Sequence, residues 1–204
     1  SDYYETPHLD HLASKGMSFT NAYAACTVCS PTRASIMTGM YPAKLRLTDF
    51  IAGQNRPYAK MKTPEWTKGL DKRHITVAEA LKENGYKTIH VGKWHLDFPE
   101  KGNQGPTAHG FDVSHNKPQG TRGYFISDST VNSLGLQSNY STDYLTSKAI
   151  EEIQKAKDDP FFLYFAYNVP HTPIQGKEDF IKYFIEKVDT YAIHKNPTYA
   201  AMVK

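Results

Sequence analysis

Pro160 is followed by an unbroken apolar and aromatic run, Phe161-Phe162-Leu163-Tyr164-Phe165-Ala166-Tyr167, and no other stretch limits the fold as tightly. The run has no polar alternation and is far too short to cross a membrane, so it reads as a buried strand of the parallel-sheet kind. Parallel neighbours need a crossover, usually a helix, to return the chain. Asp143 to Lys157 supplies one, with Leu145, Ala149, Ile150 and Ile153 on one side. Ile75 to Glu83 supplies another: Val77, Ala80 and Leu81 share a face, Thr76 caps, Glu79 completes a capping box and Gly85 ends it. It leads into a strand, Tyr86 to Val91, stopped by Gly92. This alternation predicts an α/β fold with a central, largely parallel sheet flanked by helices.

The remaining segments are less regular. Thr6 to Lys15 reads as a short helix stopped by Gly16, and Met17 to Ala24 as a plausible strand. Cys29 to Gly39 has Pro31 early and Gly39 late, the punctuation of a short helix. Residues 42–74 read as a long loop with short pieces, and residues 97–140, rich in Gly, Asn, Ser and Pro, as excursions over a surface. No internal repeat is visible.

Composition excludes several classes. With 204 residues and 39% hydrophobic content the chain can bury a sizeable core. No apolar run approaches the ~20 residues of a membrane span. Lys and Arg number 24 against 21 Asp and Glu, a net charge of +3 with no basic tract, so a nucleic-acid footprint is missing. The chain begins at Ser1 without a signal-like segment, and Tyr199 to Lys204 reads as a helix without a stop, which predicts a fragment of a larger protein. Only two cysteines occur, Cys26 and Cys29, spaced C-x-x-C. They suit buried thiols or a redox pair; a zinc site would need partners that His8 and His11 do not supply at a known spacing.

Three segments leave strand ends carrying polar groups: Cys29 to Arg33, Gly92-Lys93-Trp94-His95-Leu96, and Val169-Pro170-His171-Thr172-Pro173. Open α/β sheets bind ligands beyond the carboxyl ends of their strands. Cys29 stands just before the Pro-initiated helix, facing free N–H groups and the positive dipole end. Arg33, one turn on, can bend back and clamp an oxyanion. Lys93 and His95 are two apart, so an extended backbone points them the same way. His171 is pinned between two prolines. Singly, these residues have ordinary roles, as filler thiol, structural histidines and a solvated lysine. Together they make an anionic-ester site.

These residues also carry a resemblance. Cys29-Ser30-Pro31-Thr32-Arg33, trailed by Thr38-Gly39, resembles the C-x-P-[ST]-R signature of the type I, formylglycine-dependent sulfatases. Gly92-Lys93-Trp94-His95-Leu96 is similar to the family's second signature and Pro170-His171-Thr172-Pro173 to its histidine loop. Phe19-Thr20-Asn21-Ala22-Tyr23 and Tyr41-Pro42 fit as well. The resemblance spans essentially the whole chain, with the motifs in order. It implies the alkaline-phosphatase-like fold and hydrolysis of sulfate esters, either sulfated saccharides or aryl sulfates. Cys29 would become formylglycine through a formylglycine-generating enzyme, its hydrate supplying the nucleophile and one oxygen to a metal. Arg33 and Lys93 would hold the developing charge, with Lys93 also on a sulfate oxygen. His95 would take the second hydroxyl's proton, and His171 would protonate the leaving alcohol.

The resemblance also implies a calcium ion, or another divalent cation, held by oxygen ligands. Neither the family's upstream Asp pair nor its later Asp-Asn pair is found: Asp158-Asp159 precedes a strand, and Asp71 and Asp97 are lone. Residues 1–204 therefore read as the central part of a single sulfatase domain, inactive alone, with the other metal ligands outside it. Arg122 and His115 are candidates to read a sugar carboxylate or a second sulfate. Family habit places such enzymes in a periplasm or outside the cell. Two alternatives stay open here: a phosphonate monoester or phosphodiester hydrolase of the same superfamily, and a non-catalytic sulfated-glycan binder using the stretch from His115 to Tyr124. The sequon Asn139-Tyr140-Ser141 is too short to weigh.

Overall fold

Lys87–Gly92 is a strand whose residues are buried from Thr88 onward, and it lies between two parallel neighbours. The computed structural model describes residues 3–54, 57–102, 104–187 and 195–204. In chain order the helices are α1 (Pro7–Lys15), α2 (Cys29–Thr38), α3 (Pro42–Leu45), α4 (Val77–Glu83), α5 (Asp128–Leu134), α6 (Ser141–Ala156), α7 (Glu178–Glu186) and α8 (Pro197–Val203). The strands are β1 (Lys87–Gly92), β2 (Val113–His115), β3 (Thr121–Arg122), β4 (Phe125–Ile126) and β5 (Phe161–Ala166). The chain divides into two compact units. One comprises Tyr23–Asn116 and Lys148–Ala166; the other comprises the residues up to Ala22, Lys117–Ser147 and Tyr167–Lys204.

The first unit holds the parallel sheet, in the order β2-β1-β5. Ile89 pairs with Val113 on one side and Leu163 on the other. The core beside the sheet gathers Ala34 and Met37 of α2, Leu45, Leu47, Leu70, Ala78 of α4, Trp94, Leu96 and Phe111. Helix α4 starts as its sequence dictates: Thr76 Oγ1 accepts from Glu79 N at 3.2 Å, and Glu79 Oε2 accepts from Thr76 N at 2.8 Å. Asp112, at the entry to β2, accepts from Thr88 N at 2.9 Å and pairs with Lys82 at 2.8 Å. Burial pushes its carboxyl up, but Lys82 and Thr88 outweigh this and hold it at about 2.

The exit from β1 needs glycine. Gly92 has φ +103, and a Cβ there would stand 2.0 Å from the carbonyl oxygen of Ala166. The absent side chain lets β1 and β5 stay in register to their last pair, and Lys93 N then donates to Ala166 O at 2.7 Å. After this turn Trp94 and Leu96 face inward, fully or almost fully buried.

The second unit has two small cores and the antiparallel pair β3–β4. Tyr3, Phe184, Ala200 and Ala201 form one core; Tyr124, Tyr140 and Met202 form the other. Glu5 receives hydrogen bonds from Lys187, Lys204 and Tyr183, which hold its carboxyl at about 2. They tie the chain's first described residues to α7 and α8.

The parallel α/β sheet, α1, α4, β1, α6 and β5 follow the sequence expectations, with differences that packing explains. Residues 17–24 form no strand: Met17, Phe19 and Tyr23 are largely exposed, and no described strand pairs with them. Apolar content does not make a strand without a partner ladder. Strand β5 is parallel but only half-buried, because among the described residues it is the sheet's edge. In α4 the buried residue is Ala78, and Ala80 is exposed; in α6 Leu145 and Ala149 are buried while Ile150 is half exposed. The stretch 97–140 is not all surface. It contributes β2 to the sheet and Phe111 and His109 to the interior, because Gly110 with φ +90 turns the chain inward against Glu79.

Two outcomes follow. Gly92→Ala should destabilise the protein by ~3 kcal/mol or more, read by urea denaturation, since strain and a backbone clash combine. Burial lowers the imidazole of His90 to about 4 and that of His109 below its ordinary value. Between the ordinary histidine value near 6.5 and about 4 the unfolded chain binds more protons than the folded one. Stability is therefore full above about pH 6.5 and falls as pH drops toward 4, and a His90→Asn variant should show a shallower fall over the same range.

Candidate active site

Helix α2 begins at Cys29 itself, preceded by Val28 in extended conformation. The sequence expectation placed Cys29 just outside the helix. Pro31 does not need the first position, because any residue of the first turn has an N–H without a helical acceptor. No side chain caps this end. Thr32 instead ties down the approach: its Oγ1 donates to Cys26 O at 2.8 Å and accepts from Cys26 N at 3.1 Å. Ser30 is fully buried, and its Oγ accepts from Ile51 N at 3.1 Å. Ala34 and Met37, one turn apart, point into the core, and Gly39 ends the helix in the left-handed region with φ +67.

The partner of Cys29 comes from the β1 exit. Cys29 Sγ lies 3.2 Å from His95 Nδ1, and His95 Nε2 lies 2.5 Å from Ile51 O. A carbonyl oxygen only accepts, so Nε2 carries the proton. In the neutral ring Nδ1 is then the acceptor, and the thiol donates to it. His95 has φ +59, a left-handed conformation for a residue with a Cβ, where an extended backbone was expected. Such a residue costs roughly 1 kcal/mol and persists only where its surroundings fix it. Here the fixing groups are Trp94 and Leu96, buried on either side, and the two ring contacts.

Arg33 joins the same elements. Its Nη1 donates to Lys93 O at 2.6 Å and lies 3.4 Å from the Tyr164 hydroxyl on β5. Burial raises the Tyr164 phenol above its ordinary value despite Arg33 beside it. Arg33 Nε is buried and has no hydrogen-bond partner among the described residues. One turn after Cys29, it is a donor suited to an oxygen that a thiol does not provide.

These residues fit an oxygen-bearing group at position 29. An imidazole nitrogen is ready to take a proton there, the helix start lacks a side-chain cap, and a buried guanidinium N–H is unpaired. By themselves they do not complete a calcium site, which takes six to eight oxygen ligands. Around Cys29 the described groups are sulfur, imidazole and guanidinium, and no cluster of three or more His, Cys, Asp or Glu suited to a metal occurs among the described residues.

The other sequence candidates lie elsewhere. His171 is in the second unit, exposed, with Nδ1 2.8 Å from Thr172 O, and its carbonyl accepts from the Tyr124 hydroxyl at 2.7 Å. Arg122, exposed on β3, lines a cavity of about 530 Å³ with Phe125 and Asp128. His115 is on β2 of the sheet, its Nε2 3.1 Å from Glu152 Oε1. The structure thus brings Cys29, Arg33, Lys93 and His95 together in one unit. It adds Ser30, Thr32, Ile51 and Tyr164, which sequence reasoning missed as parts of this site. For Ser30 and Thr32 a signal existed, hydroxyls beside the cysteine; for Ile51 the contribution is a backbone carbonyl, which no side chain announces.

This parallel sheet with a polar cluster beyond its strand ends has the alkaline-phosphatase-like architecture, shared by solved sulfatase structures. The sulfatase family model matches residues 1–204, and the chain belongs to the sulfatase family. It is 37% identical over 199 residues to an arylsulfatase of Hemicentrotus pulcherrimus, covering 86% of this chain and 34% of that protein. It is 32% identical over 201 residues to the N-acetylgalactosamine-6-sulfatase of Canis lupus familiaris, covering 87% of this chain and 37% of that one. The crystal structure of Ps i-CgsB in complex with k-i-k-neocarrahexaose superposes with TM-score 0.72 at 32% identity, covering 97% of this chain and 46% of that one. The chain spans about a third of the length of these curated relatives.

Thr32→Val should remove both ties to Cys26, costing about 1–2 kcal/mol in urea denaturation and speeding proteolysis around residues 23–28.

Proposed function

We propose that the protein is a sulfuric ester hydrolase that works through a formylglycine made from Cys29. The observation that carries this is the tethered His95, its Nδ1 turned to position 29 and its Nε2 locked on Ile51. Formylglycine, once formed, supplies an oxygen nucleophile where the thiol stands. Nδ1 of His95 takes a proton at that position and returns it. Arg33, fixed on the Lys93 carbonyl, offers its unpaired Nε to negative oxygen, and Lys93 holds a sulfate oxygen. His171 gives a proton to the leaving oxygen, a role proposed on its sequence motif. Arg122 and His115 are proposed at most as secondary substrate contacts, His115 less so because Glu152 engages its ring.

The substrate class is proposed as sulfated saccharides or aryl sulfates, from the names of the arylsulfatase and N-acetylgalactosamine-6-sulfatase relatives. A formylglycine-generating enzyme is the proposed maturation partner, and calcium the proposed metal. A periplasmic or secreted location is proposed on family grounds; no described helix is long and apolar enough to cross a membrane.

Mass spectrometry of the tryptic peptide Gly16 to Arg33, from a host carrying the maturation enzyme, should show an aldehyde in place of the Cys29 thiol. An unchanged thiol alongside full turnover would overturn the reading. Cys29→Ala in the full-length protein should abolish hydrolysis of 4-nitrophenyl sulfate, and His95→Ala should lower kcat by about a hundredfold. The 204-residue chain alone should bind calcium weakly by calorimetry and turn over little ester.

A further inference from the structure

A polar row crosses the parallel sheet of the first unit. Ser114 of β2, His90 of β1 and Tyr164 of β5 are direct register partners, so their side chains stand side by side on one face. His90 is fully buried, and the proposed chemistry does not use it. An imidazole in that place carries a desolvation cost that an aliphatic side chain would not. Its Nδ1 lies 2.9 Å from Ser114 Oγ, a hydrogen bond that offsets part of the cost and fixes the ring. The ring then packs against Trp94 and Phe111, with centroids 5.7 Å away in each case. It meets the Tyr164 ring at 5.9 Å with the planes 31° apart, and Phe111 supports Tyr164 as well, at 6.4 Å.

The row ends on Arg33. The Tyr164 oxygen stands 3.4 Å from Arg33 Nη1, which also donates to Lys93 O at 2.6 Å, while Arg33 Nε stays unpaired among the described residues. Both oxygens are neutral, one a carbonyl and the other a phenol that burial raises above its ordinary value. Burial, with the Arg33 charge acting the same way, lowers His90 to about 4, so its ring adds no charge near neutral pH. The guanidinium is therefore oriented by acceptors that leave its charge uncompensated, as a group facing developing negative charge requires. We infer that His90 is a positioning residue for Arg33: held by Ser114, its ring sets the place of the Tyr164 hydroxyl, and that hydroxyl fixes the guanidinium. The inference rests on the catalytic reading above, in which Arg33 meets negative oxygen.

The test uses the full-length protein from a host carrying the maturation enzyme, with each rate divided by the formylglycine content of the preparation. Tyr164→Phe keeps the ring and removes the hydroxyl. His90→Asn keeps a polar partner for Ser114 and removes the ring that packs on Tyr164. With 4-nitrophenyl sulfate, each single variant should lower kcat about fivefold while KM changes by less than about twofold. In the double variant kcat should stay at the level of Tyr164→Phe, because His90 acts through that hydroxyl alone. Losses that multiply to about twenty-fivefold, or an unchanged kcat in either single variant, overturn the inference. If His90→Asn does not fold, Ser114→Ala, which releases the same ring, takes its place in the cycle. If the wild type turns over no ester, the catalytic reading fails by itself, and the solvent exchange of the Arg33 Nε–H still decides the positioning. It is read by NMR on isotope-labelled arginine and assigned with Arg33→Lys. Exchange about fivefold faster in Tyr164→Phe and in His90→Asn supports the inference; an unchanged rate in either overturns it.

Discussion

The close approach of β1 to β5 at Gly92 is the constraint on which the site depends. With no side chain at Gly92, the ladder runs to its last pair and continues as Lys93 N to Ala166 O. The next residues then leave the sheet in a fixed direction, with Trp94 and Leu96 as buried anchors. Between those anchors His95 accepts a left-handed backbone. A local distortion of about 1 kcal/mol is thus held by burial worth several times more.

A second constraint acts from the opposite side. Helix α2 is placed by Ala34 and Met37 in the core, and its first turn is joined to the loop Asp49–Gln54 through Ser30. That loop returns a carbonyl to His95. Three elements distant in sequence therefore form a closed circuit: Ser30 to Ile51, Ile51 to His95, His95 to Cys29. Each link is a hydrogen bond of ordinary strength, but together they fix both the tautomer and the orientation of the imidazole. Arg33 adds a further tie by holding the Lys93 carbonyl.

Much of this was legible beforehand. The capping box of Thr76 and Glu79, the apolar run of β5 and the glycines at positions 39 and 92 are local signals, and the elements they mark formed as read. Residues 17–24 carried an apolar pattern but formed no strand, because pairing is a property of the partner as much as of the segment. Phe111 and His109 were hidden in a polar stretch, since their burial depends on a turn at Gly110 against Glu79, far away in sequence.

The sequence by itself determined the α/β class, the helix start at a C-x-P-[ST]-R motif and the identity of the chemical groups: a thiol, two imidazoles and two strong cations. These follow from periodicity, turn chemistry and residue type, which act over a few residues. Only the tertiary structure decided which nitrogen of His95 faces Cys29, that Arg33 spans to Lys93 and Tyr164, and that Ile51 belongs to the surroundings of the site. Those choices rest on backbone carbonyls, ring orientations and buried distances between segments remote in sequence, which no local pattern encodes.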